Sequence, residues 1–380
     1  MIKLLCTALS TVRRSNNRGP WSRQYLALFC YSPSFGFDVR QWILRLVPLL
    51  LLLVWLPAQA EDYTFTNNMP EDCTGPVSEV YTCTPLTLAA SDTIIITEEA
   101  AITITVNGDF TTGSPTQINK AGTPPDLTIT VTGITDLGAN TIFNGNIIGN
   151  NSTTGTITIG ANSKIKGDLT TTKAGVINIG ADSSVVGKLT TKSGAINVGD
   201  RSTVTGSILS SKAGAITIGA DAKVTGDVAT TSIGSGTGAG AITIKSGAEV
   251  NGSVTTNTGA ITVEEDAKVD GNVSTNDGAI TVGADADIGR SVCSGNSGAI
   301  TIGASANVGG NVETATAGAI TVGTLANVTG GAEVLGDGAL TIGAGATVGE
   351  DRIGGECLID ASTITPPRII SRQWHQIFMR

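Results

Sequence analysis

From Gly133 to about Val348, apolar and polar residues alternate in short runs that recur every 19–26 residues, and the cleanest copy is GAITIGADAKVTGDV over 214–228. Aligned copies begin at Gly133, Gly155, Gly175, Gly194, Gly214, Gly240, Gly259, Gly278, Gly298, Gly318 and Gly338. Counted from the first glycine, positions 3, 5, 11 and 15 are almost always Ile, Val or Leu. Position 4 is Thr or Asn in most copies, and positions 10, 12 and 14 are mostly polar. An alternation of period two predicts half-buried strands. Glycines at positions 1, 6 and 13 predict corners, where the chain turns sharply into backbone angles that a Cβ resists. Three short strands and three corners in about twenty residues predict an all-β fold, a single-stranded parallel β-helix of triangular section.

Stacking the copies gives the core. One predicted interior column runs through Ile157, Ile177, Ile196 and Ile216 to Leu340, and a second through Ile165, Val185, Val204 and Val224 to Val348. No coil can bury these side chains without a neighbour above and below it, and each burial is worth roughly 1.5–3 kcal/mol. Position 9 is small, Ala or Ser, from Ser163 to Ala346. Phe, Tyr and Trp are absent between Phe143 and Trp374, which predicts a bore without room for rings and a surface without aromatic platforms for sugars or single-stranded nucleic acid.

The pattern places one uniform column on the outside. Position 4 reads Thr158, Asn178 and Asn197, then Thr217, Thr243, Thr262, Thr281, Thr301, Thr321 and Thr341. Seven threonines in register, roughly 4.8 Å apart, make a ladder of hydroxyls and methyls suited to binding ice or another ordered surface. Exposed strand positions also favour Thr for its β-propensity alone.

The ends are different. Leu46–Pro57 is a twelve-residue apolar run preceded by Arg40 and Arg45 and followed by Ala58-Gln59-Ala60. Basic flank, short apolar run and small residues predict a signal peptide over 39–60, cleaved after Ala60. Residues 1–38 then read as an upstream extension of the reading frame, with Val39 as an alternative initiator. Residues 61–132 read as an amino-terminal cap with irregular first coils, 133–353 as the repeats and 354–380 as a carboxy-terminal cap or tail. Cys73 and Cys83, ten residues apart, are a candidate disulfide for an exported chain. Cys293 and Cys357 stand about three rungs apart, beyond direct bridging unless the last coil folds back. The tail carries Arg372, Trp374, Ile377, Phe378 and Arg380. It suits either a plug over the last coil or a docking peptide, and is the one stretch of the mature chain with a basic, aromatic character that could touch a membrane.

Charge and chemistry narrow the role. The net charge is −9, and the predicted leader is basic, so the exported part is more acidic still. Nucleic acid is a poor partner for it. The one histidine, His375, lies in the tail, which excludes a histidine-based triad or a multi-histidine metal site among the coils. Position 8 holds Asp182, Asp221, Asp266 and Asp285, but Arg201 interrupts that column and the glycine-rich calcium motif is missing. The expectation is a protein that is not an enzyme, with no catalytic, cofactor or metal residues.

The recurring AKVTGDV (222–228), AEVNGSV (248–254) and AKVDGNV (267–273) resemble the repeat of bactofilins, polymer-forming cytoskeletal β-helix proteins of bacteria, over about Gly133 to Val348. That resemblance implies a right-handed helix and nucleotide-free, end-to-end assembly. A signal peptide and a disulfide cap depart from the family, whose members are generally cytoplasmic. The layout, YTFTNNMPEDC followed by such coils, also looks similar to exported bacterial β-repeat proteins, some associated with type IV pilus or surface assembly. The sequence therefore predicts an exported structural component of the bacterial envelope or surface, in the periplasm or outside the cell. Its expected partner is itself, end to end or laterally, or an envelope component. The alternatives are surface binding through the Thr ladder, or an adhesin or assembly role that docks through the Trp374 tail.

Overall fold

A computed structural model describes residues 60–349, apart from 66–67, 97–100, 151–154, 213 and 232–239. The signal segment, the upstream extension, nearly all of the surplus in the 26-residue coil and the carboxy-terminal tail lie outside the described residues. The described part is a β-solenoid of three sheets with 14, 13 and 14 strands. Sheet I runs from Asp62–Thr64 to Thr347–Val348, sheet II from Leu86–Leu88 to Leu340–Ile342, and sheet III from Cys73–Val77 to Ala332–Val334. Strands within each sheet are parallel and pair with the equivalent strand one coil on, except at the start of sheet III. The helical exception among the described residues is one turn of 3-10 helix, Pro124–Asp126.

Each repeat supplies one strand to each sheet, and its alternation decides which side chains point inward. Positions 3 and 5 enter from sheet II, position 11 from sheet I and position 15 from sheet III, and Ile157, Ile165 and Leu169 of one coil are all buried. Both interior columns predicted from the sequence are in register, with Ile157 opposite Ile177 and Ile165 opposite Val185. Stacking begins earlier than the repeat does. Leu86, Phe110, Thr135 and Ile157 already form one column, as do Ile118, Phe143 and Ile165. The bore therefore admits rings in its first coils, contrary to expectation, and the small Thr135 beside Phe110 leaves room for one.

A third inward column is polar. Position 17 carries Thr or Ser from Thr171 to Thr314, and these side chains are buried. Except at Ser294, whose Oγ has no hydrogen-bond partner, their hydroxyls do not disturb the core because they find a backbone partner at the next corner. Thr171 donates to the Gly175 carbonyl at 2.8 Å, Thr230 to that of Gly240 at 2.9 Å and Thr314 to that of Gly318 at 2.9 Å. A satisfied buried hydroxyl contributes where an unsatisfied one costs about 1–3 kcal/mol. This column ties sheet III to the corner that leads into sheet II.

The corners work differently from the sequence expectation. Positive φ falls mainly at position 8, in Asn162, Asp182, Arg201, Asp221, Gly247, Asp266, Asp285, Ser305, Leu325 and Gly345. Asp and Asn tolerate that left-handed conformation better than other L-residues, which accounts for the acidic column there. The glycines at positions 1 and 6 answer to space. A Cβ on Gly180 would lie 2.5 Å from the backbone nitrogen of Ala161, and one on Gly303 would lie 2.5 Å from the carbonyl carbon of Gly283. At these glycines the stacked corners pass too close for a side chain, although two coils carry Lys245 and Glu264 at position 6.

The two corner positions should therefore respond oppositely to substitution. Gly180→Ala is expected to destabilise by about 2 kcal/mol, the scale of overpacking. Leu325→Asn, at an exposed site with φ 59°, is expected to stabilise by about 0.5 kcal/mol or more. Urea unfolding midpoints of the two variants measure this, and a stabilised Gly180→Ala would contradict the stacking account.

Candidate interaction surfaces

Since the interior is committed to packing, the outward faces and the two ends are what can meet a partner. On sheet II the predicted ladder is in register without a break. Thr217 pairs with Thr243, Thr243 with Thr262, Thr262 with Thr281, Thr281 with Thr301, Thr301 with Thr321 and Thr321 with Thr341. The column continues toward the amino end through Asn197, Asn178, Thr158, Asp136, Thr111 and Thr87. Neighbours there hydrogen-bond along the axis, Asn197 Nδ2 donating to Asn178 Oδ1 at 2.8 Å. Beside the threonines runs an exposed alanine column, Ala215, Ala241, Ala260, Ala279, Ala299, Ala319 and Ala339. Short side chains and no charge at either position make this face level and weakly hydrated.

Sheet I has the opposite character. Lys223 Nζ meets Glu249 Oε2 at 2.8 Å, Lys268 Nζ meets Asp270 Oδ1 at 2.9 Å and Asn251 Nδ2 donates to Asp270 Oδ2 at 2.8 Å. Further along, Asn307 donates to Asp287, Asn327 to Asn307 and Thr347 to Asn327, at 2.8, 2.7 and 2.6 Å. These partners hold Glu249 and Asp270 below the ordinary carboxylate range, through the hydrogen bond from Lys223 and that from Lys268 respectively. The face satisfies itself and offers few free groups.

At the amino end the apolar core is covered, although the first strand of each sheet pairs on one side alone. Cys73–Val77 folds antiparallel onto Val80–Cys83, and Cys73 and Cys83, directly opposite each other, form the predicted disulfide with Cα atoms 4.0 Å apart. Phe65 packs edge-on against Tyr81 with ring centroids 5.1 Å apart, and both are buried. At the other end, among the described residues, the terminal strands of all three sheets likewise pair on one side alone. The inward-pointing Leu340 and Ile342 are 43% and 49% exposed, whereas their column neighbours Ile320 and Val322 are buried.

Sheet III carries a covered patch. Its outward column runs Thr255, Ser274, Cys293, Glu313, Glu333. Thr255, Ser274 and Glu333 are half-exposed, but Cys293 and Glu313 are only 2% and 8% exposed. Burial, and then the Glu333 charge, push the Glu313 carboxyl up.

The docking residues Arg372, Trp374, Ile377, Phe378 and Arg380 lie outside the described residues. Among the described residues no group of three or more His, Cys, Asp or Glu is placed to hold a metal ion, and no helix is long and apolar enough to cross a membrane. Sequence reading missed the covered patch on sheet III and the bare carboxy-terminal coil. A Cys and a Glu in a column of Thr and Ser were the available signal for the first. Comparison with protein-family models, curated proteins and solved structures gives no match.

A raised carboxyl adds stability only while protonated. That contribution is complete below the ordinary glutamate range and is lost as pH rises through the raised value. Glu313→Gln is thus expected to raise the thermal midpoint at about pH 7 and to leave it unchanged at about pH 4. Equal effects at both values would show that the Glu313 charge is not the cause.

Proposed function

We propose that this chain is an exported, non-enzymatic structural solenoid of the bacterial envelope or surface that self-associates through its open carboxy-terminal coil. The bare apolar end carries this reading. Exposed Leu340 and Ile342 sit among three strand edges whose N–H and C=O groups point away from the body, and such edges template pairing with another chain. At the amino end the Cys73 hairpin and Phe65 cover the apolar core, so association runs tail to tail about a two-fold axis, which closes at a dimer. The bactofilin-like repeat supports an architectural role, while the covered apolar core at the amino end argues against a continuous head-to-tail filament.

Export is supported by the Cys73–Cys83 disulfide, since such bonds persist in oxidising compartments. A second support sits at the expected cleavage point. The Glu61 nitrogen donates to Oδ1 of the buried Asp92 at 2.9 Å. Cleavage after Ala60 would turn that nitrogen into an ammonium and give the buried carboxylate an ion-pair partner.

Two measurements on the exported protein test this reading. Its amino-terminal sequence should begin at Glu61. Sedimentation should give a dimer that Ile342→Lys converts to monomer without loss of the β-sheet circular dichroism signal. A wild-type monomer at all concentrations would remove self-association.

The unbroken, uncharged Thr and Ala columns of sheet II favour a second reading, adsorption to ice or another regular surface. Ice recrystallisation assays with the wild type and Thr281→Lys decide it. Inhibition lost in the variant supports surface binding, and no inhibition by the wild type excludes ice.

A further inference from the structure

Basic residues are bunched on this acidic rod. Residues 155–213 hold seven Lys and Arg against three Asp, a formal charge of +4. Residues 61–154 hold one Lys against eleven acids, and residues 214–349 four Lys and Arg against thirteen acids. Of the seven, Arg201 pairs with Asp182 at 2.7 Å. The others, Lys164, Lys166, Lys173, Lys188, Lys192 and Lys212, are exposed, and none has an ion-pair partner among the described residues. Stacking does not demand this, since sheet I sets Glu249 beside Lys223 on adjacent rungs.

Four of these lysines frame one face. The sheet III strands Leu169–Thr171, Leu189–Thr191 and Ile208–Ser210 stack in register. Lys173, Lys192 and Lys212 stand just past their ends, at the corner into sheet II, on three consecutive coils. Lys188 stands just before Leu189 at the corner from sheet I, so Lys188 and Lys192 bracket one strand with Cα atoms about 13 Å apart. Asp168 at that corner already accepts the Lys188 backbone N–H at 2.8 Å. Between the two rims the outward residues are Thr170, Thr190 and Leu209, all half-exposed. Neither threonine hydroxyl has a hydrogen-bond partner among the described residues.

The strip is short, and its length selects the partner. Its three strands span about 10 Å along the axis. On the same two corners Asp109 and Asp126, with Lys120, precede it, and Asp227, Asp277 and Asp337, with Arg290, follow. A membrane surface, or a duplex laid along the rod, would press those acids against its own charge at about one Debye length. A single polyanionic strand crossing the rod avoids them. Bases have nothing to stack on, because these coils contain no aromatic residue. A peptide cannot add to the sheet here, because strands inside sheet III already pair on both sides. A sugar chain that bears carboxylates can use both features, its anions meeting the lysine rims and its hydroxyls meeting Thr170 and Thr190.

We propose that this lysine-rimmed strip of sheet III binds a single strand of acidic polysaccharide, of the polyuronate class, laid across the rod. The site shares no residue with the open coil end, so it does not depend on how that end associates.

Polygalacturonate is the probe, titrated into the purified protein and followed by calorimetry. Binding should weaken as salt is added. The triple variant Lys173→Gln, Lys192→Gln, Lys212→Gln should lose about tenfold in affinity, the product of three exposed charge contacts. Lys223→Gln, Lys245→Gln, Lys268→Gln makes the same change in net charge elsewhere and should bind as the wild type does. Thr170→Val with Thr190→Val should lose about threefold. Circular dichroism confirms that each variant keeps its β-sheet signal. Absence of wild-type binding, or equal losses in the two lysine triples, would overturn the site. Polyglutamate, single-stranded DNA or phosphatidylglycerol vesicles bound as tightly as polygalacturonate, or a threonine pair without effect, would overturn the assignment to a sugar chain.

Discussion

Successive coils of this protein are held at one strand spacing, and the corners must obey that spacing as strictly as the strands. Where Gly180 passes Ala161, or Gly303 passes Gly283, the backbones leave no room for a Cβ. Everything regular in the sequence follows from this contact. Glycine holds position 1 in every copy and position 6 in all but the coils of Lys245 and Glu264, β-branched aliphatics fill the interior column beside it, and a small residue occupies position 9. In the amino-terminal repeats Ser163 and Ser183 use position 9 to link rungs, the Ser163 backbone N–H donating to Ser183 Oγ at 3.1 Å. From Ala222 onward alanine holds that place without the bond.

The features legible in the sequence were those that stacking repeats. Period-two alternation around Ile157 and Ile165 placed both interior columns and the outward Thr column in the register observed. Conformation at single corners was not legible in the same way. A glycine required by space and a glycine required by φ look identical as letters, so the left-handed residue was sought at the glycines and not at Asp182 and Asp221, where it lies. The buried Thr at position 17 was hidden for a related reason. Thr reads as an outward residue until its hydroxyl is seen to reach a corner carbonyl, as Thr230 reaches Gly240.

Departures from the repeat carry the information about function, because the repeat itself is consumed by packing. Sheet I uses its outward positions to satisfy one another, Lys223 with Glu249 and Asn327 with Asn307, which leaves little to offer a partner. Sheet II does the reverse, presenting small neutral side chains without cross-links over its later coils. Sheet III replaces Thr and Ser with Cys293 and Glu313 at the rungs where it is covered. One backbone thus presents three surfaces of different chemistry, and each is set by one or two outward letters per coil.

The ends follow from the same nearest-neighbour logic. An interior coil is buried from both sides, whereas a terminal coil has one neighbour and forfeits part of its burial. At the amino end that deficit is offset by Phe65 on Tyr81 and by the Cys73–Cys83 bond. At the carboxy end Leu340 and Ile342 remain about half exposed, which forgoes on the order of 1 kcal/mol for each. That uncovered apolar surface is what the proposed tail-to-tail association would bury.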